Sequence, residues 1–248
     1  MKNKKFFNIK KIIFPFLGMI IFIMPGCMKD GDNMQYFEYV PAVVGYSYDL
    51  FQPTINTLVG TFLAPELQNV LFVELIEGDA ILTSFYVNYD TQIASEYPIA
   101  YDVLYSKIVT GYPQSIAEGQ TTGDFDLPIE NMVIYGRVGN IWFFLFRHTA
   151  PTDQKLVYEM TYESNATDNI PVVSIRAKKD EQQDSQAATT TDYLYAFDMY
   201  TFFMTYKDTN NWVKFKIQYK TGVDDDGNDK YKDYVDSQFG SVIEFQIE

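Results

Sequence analysis

The chain has 248 residues, enough for one large or two small domains, and 47% of them are hydrophobic, enough to bury a core. All the charge in residues 1–26 is positive, five lysines in all. Beyond them 14 basic residues face 33 acidic ones, a net charge of −19 against −14 for the whole chain. A body this acidic repels phosphate backbones and anionic lipid surfaces, which excludes nucleic acid as a partner.

The chain opens on a basic stretch, Lys2 to Lys11, followed by a short apolar run over residues 12–23 and then Met24-Pro25-Gly26-Cys27. This is the order of a secretory signal. The apolar run falls short of the ~20 residues of a spanning helix, and Pro15 and Pro25 interrupt it. The junction resembles a bacterial lipobox. Gly26 is the small residue before the cut, and Cys27, the only cysteine, takes the place of the invariant lipidated one. Met24 stands where that motif commonly has Leu, and Pro25 departs from its usual small or β-branched residue. The resemblance implies a signal peptide over 1–26, cleavage after Gly26 and a diacylglycerol thioether on Cys27. Residues 27–42 are then expected to be a flexible tether. Lys29, Asp30 and Asp32 look like the short Lys/acidic export signal of surface-displayed Bacteroidetes lipoproteins. The expected location is the outer membrane, held by the lipid anchor and displayed at the cell surface.

Past residue 40 the pattern is period two. Ile81, Thr83, Phe85, Val87 and Tyr89 share one face. The same alternation places Leu156 to Tyr162, Val173 to Ala177, Val213 to Tyr219 and Ile243 to Ile247 on apolar faces with polar residues between them. Ile141 to Phe146 is continuously apolar, as in a strand covered on both sides. Tyrosine and phenylalanine, 20 of each, reinforce the preference for strands. Glu77-Gly78-Asp79, Gly139-Asn140 and Asp226-Gly227-Asn228 are turn sequences. Pro65 to Glu77 reads as a short helix or a strand. Lys178 to Asp192 reads as a long polar loop, and the polar stretch from Tyr112 to Asp126 as a domain boundary.

The block Gly78 to Gln92, then Tyr97 to Lys107, Tyr195 to Met199 and Trp212 to Tyr234 resemble NigD-like lipoproteins of Bacteroidales. That likeness implies an all-β chain, with an N-terminal OB-like antiparallel barrel over 43–125 followed by a C-terminal β-sandwich over 126–248. It implies no activity and no catalytic residue.

The residues themselves offer little chemistry. His148 is the only histidine, and no nucleophile elbow accompanies it. Neither a metal nor another cofactor is expected. Asp224, Asp226 and Asn228, within a run that continues through Asp229 and Asp233, are the nearest approach to a calcium loop. With Gly227 at the sixth position of such a loop, however, the first falls on Gly222, which has no ligand atom. An acidic hairpin loop is the simpler reading. Trp212 shares a strand face with Lys214 and Lys216 and is a candidate for stacking on a glycan. The expected function is a non-enzymatic binding or interaction module whose protein or glycan partner is open. The alternatives are a structural part of an outer-membrane complex or surface fibre, a glycan-binding protein, and, last, a hydrolase.

Overall fold

The alternating segments become ladders. The computed structural model describes residues 33–91, 97–117, 123–151, 154–163, 170–180, 187–236 and 240–247. Gly26, Cys27, Lys29, Asp30 and Asp32 therefore lie outside the described residues. Among those described, the chain is all-β, with fifteen strands and one seven-residue α-helix. It divides into two units, Met1–Val109 with Gly136–Gly139, and Thr110–Tyr135 with Asn140–Glu248.

Unit 1 is a five-stranded antiparallel sheet. Its strands are β1 (Met34–Ser47), β2 (Gln52–Thr57), β3 (Gly60–Leu63), β4 (Ala80–Asn88) and β5 (Ala100–Lys107), in the order β3-β2-β1-β4-β5. β1 begins at Met34, so the tether expected to reach residue 42 is strand from there on. Phe37 stacks on Phe85 at 4.9 Å, and Ala42 and Val44 enter the core, which is why this stretch pairs with β4. Ile55, Phe62, Ile81 and Val87 complete one apolar face, closed by Leu67, Leu71 and Leu75. The segment from Pro65 is neither a full helix nor a strand. A 3-10 turn, Pro65–Asn69, is followed by a loop. Leu67, Leu71 and Leu75 keep an i, i+4, i+8 helical spacing, yet only the first lies in the 3-10 turn and the other two are buried from the loop.

Two bulges flank the middle of β4. The extra residues carry Tyr39 (φ 51°) and Asp102 (φ 52°), both left-handed. The Tyr39 N–H donates to Ser84 Oγ (2.9 Å), and Asp102 and Val103 N–H donate to the Glu66 carboxylate. Such bulges bend a sheet strongly. The sheet nevertheless stays open. Its two outer edges meet at a single parallel bridge, Leu63 with Ile99, where Leu63 N–H donates to Pro98 O (2.8 Å). The expected barrel is not closed, because β3 is only four residues long and the chain leaves it at Ala64.

Unit 2 holds two sheets. Their strands are β6 (Thr110–Gly111), β7 (Gln114–Ile116), β8 (Asn131–Val138), β9 (Ile141–Pro151), β10 (Leu156–Glu163), β11 (Val172–Lys179), β12 (Ala188–Asp198), β13 (Trp212–Val223), β14 (Asp229–Asp233) and β15 (Ile243–Gln246), with α1 (Tyr200–Tyr206) between β12 and β13. One sheet runs β14-β13-β11-β10-β7 with β15 on β13; the other runs β6-β12-β9-β8. Both contribute to one apolar cluster. Phe144, Phe146 and Phe197 come from one sheet, and Met160, Ile175 and Phe215 from the other, with Phe202 and Phe203 of α1. Phe143, Phe144 and Phe146 are all fully buried, as the continuous apolar run requires. The polar loop expected over Lys178 to Asp192 begins and ends as strand, in β11 and β12, with 181–186 outside the described residues. Thr189 to Asp192 pair with Ala150 to Arg147, so backbone pairing outweighs their polarity.

The polar stretch read as a domain boundary is strand and wedge. β6 adds to β12 and β7 to β10, one on each sheet. Leu127 N–H then donates to Ala177 O and Ile129 N–H to Lys220 O, filling the gap where β11 and β13 part company. Charge secures this wedge. Lys220, nearly buried, reaches Asp229 (2.5 Å) and donates to Phe125 O (2.8 Å). Arg176 pairs with Glu159 (2.6 Å), and its guanidinium lies over the Phe125 ring.

Candidate functional site

Burial disposes of the only histidine as a catalyst. His148 on β9 is wholly inaccessible, between the rings of Tyr158 and Tyr193. Its Nδ1 lies 2.7 Å from Pro128 O. A carbonyl only accepts, so Nδ1 carries the proton and Nε2 is bare. Burial drives its pKa down to about 4, against a smaller opposing pull from the Pro128 hydrogen bond and from Glu130. Neutral at ordinary pH and closed to solvent, this imidazole is a core group.

The acidic run forms the β13–β14 hairpin loop. Asp224 Oδ1 accepts from the N–H groups of Asp226 (3.0 Å) and Asn228 (2.8 Å), and Oδ2 from Asn228 Nδ2 (3.3 Å). These bonds, that from the Asn228 backbone foremost, lower the Asp224 carboxyl below its ordinary value. Gly227 takes φ +83°, which the turn requires. Asp229 faces away, toward Lys220 and Arg176. The Asp224 carboxylate thus serves the loop itself, with Asp226 and Asn228 as its donors. Among the described residues no three of His, Cys, Asp and Glu are placed to hold a metal ion. Trp212 opens β13, partly exposed on the Lys214 side, and its backbone N–H donates to Asp208 Oδ1 (2.8 Å). Among the described residues no other aromatic ring packs with it to make a platform.

The candidate surface is elsewhere, at one end of unit 1, and the sequence reading missed it. β1 ends at Tyr46 and Ser47, and the turn to β2 carries Tyr48 (68% exposed) and Phe51 (74%). Beside it, the loop after the 3-10 turn presents Phe72 (68%) and Val73 (82%). Tyr46 joins the two, its ring 5.1 Å from Tyr48 and 6.4 Å from Phe72. The second loop is built to do this. Leu71 and Leu75 bridge to each other and are buried, and Val70 O accepts from the N–H groups of Val73, Glu74 and Leu75. With both legs pinned, Phe72 and Val73 have nowhere to go but out. Phe51 (φ 53°) and Phe72 (φ 65°) both hold left-handed backbone, which costs a bulky residue about 1–2 kcal/mol. Neither phenylalanine is buried, and neither has the small or polar side chain that left-handed backbone favours.

The charge around them is of one sign. From residue 30 to residue 106 there is no Lys, Arg or His, while eleven Asp and Glu occur. Asp49, Glu74 and Glu77 stand beside the aromatic tips, and Glu77 accepts from the Tyr48 hydroxyl (3.0 Å). Lys107, which ends this run, pairs with Asp79 (2.7 Å). A second exposed aromatic group, Tyr36 and Tyr86 on neighbouring strands, spends its ring faces on itself at 4.5 Å. Two signals in the sequence could have pointed to the tip: apolar pairs at turn positions, Leu50-Phe51 and Phe72-Val73, and the long cation-free stretch.

No protein-family model matches the chain, and no curated protein matches it. Solved structures do. An uncharacterized protein of Parabacteroides merdae aligns with a TM-score of 0.65 at 18% identity, over 84% of this chain and 98% of that one. The likeness is one of fold. A candidate lipoprotein of Bacteroides fragilis aligns at TM-score 0.51 and 11% identity, over 87% and 98%. A NigD-like immunity protein of Bacteroides caccae is also among the similar structures, at 0.49 and 11%, over 86% and 98%. The structural neighbours thus include NigD-like and lipoprotein-like proteins of Bacteroidales, the group that the sequence resembles. No helix among the described residues is long and apolar enough to cross a membrane.

Proposed function

We propose that this chain is a lipid-anchored lipoprotein of the bacterial outer membrane that works as a non-enzymatic binding module, with the Tyr46–Tyr48–Phe51–Phe72–Val73 tip as its binding surface. The observation that carries this reading is the pair of exposed phenylalanines in left-handed backbone, Phe51 in the β1–β2 turn and Phe72 on a loop whose legs are buried. Aromatic side chains of this kind supply most of the energy at binding surfaces. In this reading unit 1 is an OB-like sheet and unit 2 a β-sandwich. The strand order of unit 1, with a lone bridge between its outer edges, and the shared core of the two sheets in unit 2 support it.

Cys27 precedes β1 in the chain, with five residues between it and Asn33. β1 then runs fourteen residues, on the order of 40 Å, before it delivers Tyr46 to the tip. In this reading the length of β1 separates the tip from the start of the strand, the end nearer in sequence to the proposed lipid. Support for a non-enzymatic role comes from the burial of His148 and the internal use of the Asp224 carboxylate.

A photo-crosslinking residue at position 73, tested in intact cells, checks the reading. A discrete cross-linked product is expected there and not from exposed Val235 of unit 2. Equal labelling at the two positions would refute a binding role for the tip.

A further inference from the structure

We infer that the tip of unit 1 docks a cationic, amphipathic polypeptide segment: apolar anchors that cover Phe51, Phe72 and Val73, flanked by Lys or Arg that meet Asp49, Glu74 and Glu77. The inference rests on the proposed binding role of the tip and names the chemistry of its partner.

Charge decides among the occupants an apolar tip could take. The seventy-seven consecutive residues from which the tip is built carry no cation of their own to meet a phosphate, a sulfate or an acidic side chain. Lys107, the first cation after them, is held by Asp79. Anionic lipid and acidic peptides are repelled, and a second copy of this chain would bring a like charge against its own. A cationic partner gains on both terms, since it is steered in by the acids and held by burial of the rings. The carboxylates next to the rings fix where the partner's charges must lie. Asp49 sits two residues before Phe51, Glu74 directly follows Val73, and Glu77 is held in place by the Tyr48 hydroxyl. The apolar tip also needs no rearrangement to accept a partner, because Leu71 and Leu75 already pin the loop in its projecting form.

The test uses the full-length protein in detergent and three dye-labelled twelve-residue probes, read by fluorescence anisotropy. One alternates Lys and Leu clusters on a helical period, the second replaces every Lys with Glu, and the third replaces every Leu with Ser. The Lys/Leu probe is expected to bind at least tenfold more tightly than either of the others, and its affinity should fall as salt rises from 50 to 500 mM. The variant combining Phe51→Asn, Phe72→Asn and Val73→Ser should lose that affinity tenfold or more. Asn tolerates left-handed backbone, so the variant's melting temperature should not fall, which separates a binding role from a structural one. Equal binding of the Glu/Leu probe, equal binding of the Lys/Ser probe, or unchanged binding to the triple variant would each overturn the inference. So would tip-dependent binding to neutral phosphatidylcholine vesicles in place of the peptide. If the residue at position 73 captures a partner in cells and the Lys/Leu probe does not bind, the binding role stands and the cationic partner is wrong. If neither occurs, both fall.

Discussion

The buried imidazole of His148 makes stability depend on pH between about 4 and about 6.5. In the unfolded chain its pKa is near 6.5; in the folded protein burial drives it to about 4. Between those values the unfolded state binds a proton that the native state refuses, so stability rises with pH there. The contribution is fully present above pH 6.5 and is lost as pH falls through about 4. An interval of that width corresponds to roughly 3 kcal/mol at about 1.4 kcal/mol per pKa unit. His148→Phe keeps the ring among Tyr158 and Tyr193 and removes the titration. At pH 8 the variant should be less stable by about 1 kcal/mol, for the lost bond to Pro128 O. At pH 4 it should be the more stable of the two. Urea unfolding followed by tryptophan fluorescence reads this cleanly, because Trp142 and Trp212 both lie in the unit that contains His148 and unit 1 has neither. Background carboxylates titrate alike in both proteins and cancel in the difference. A stability difference that stays flat from pH 8 to pH 4 would refute the argument, and with it the view of His148 as a neutral core residue.

Other expectations concern the wedge, the anchor and the unit boundary. Asp229→Asn takes the negative charge from beside the nearly buried Lys220 ammonium and leaves it neutral oxygen acceptors, and should cost about 3 kcal/mol in urea unfolding. Lys220→Met leaves Asp229 partly exposed and still near Arg176, so it should cost less, and the double variant less than the sum of the two. Additive costs would mean that the pair does not act as a pair. Cys27→Ala should move the protein from the membrane fraction to the soluble one, since it removes the site of the proposed diacyl anchor; retention through a carbonate wash would sink the lipoprotein reading. A fragment of residues 110–248 should unfold cooperatively, whereas 126–248 should not, because the shorter piece lacks β6, β7 and Phe125. Equal cooperativity by calorimetry would show the strap to be dispensable.

How much of this was legible depended on whether the information was local. Phe85, Val173, Ile175, Phe215 and Ile217 alternate with polar neighbours within a few residues, and each is buried as that period demands. Ile141 to Phe146, apolar on both sides, is the strand whose two faces are covered. The misread segments are those whose structure is imposed from a distance. Thr189 to Thr191 carry no apolar pattern and are strand because β9 lies beside them. Gln114 to Ile116 look like linker and pair with β10, forty-seven residues on. Met34 to Val40 look like the end of a tether, yet β4 captures them.

The candidate surface was hidden for a related reason. Period-based reading assigns apolar residues to the core, so Phe51 and Phe72 are counted as interior unless something forbids it. What forbids it is backbone geometry: both sit at turn positions with positive φ, and Phe72 lies between Leu71 and Leu75, which are already committed to the core. Leu71 and Leu75 take the buried places in their loop, and the chain between them is too short to turn Phe72 inward as well. An apolar residue that a tight loop holds outward against its backbone preference is what the proposed contact with another molecule would account for.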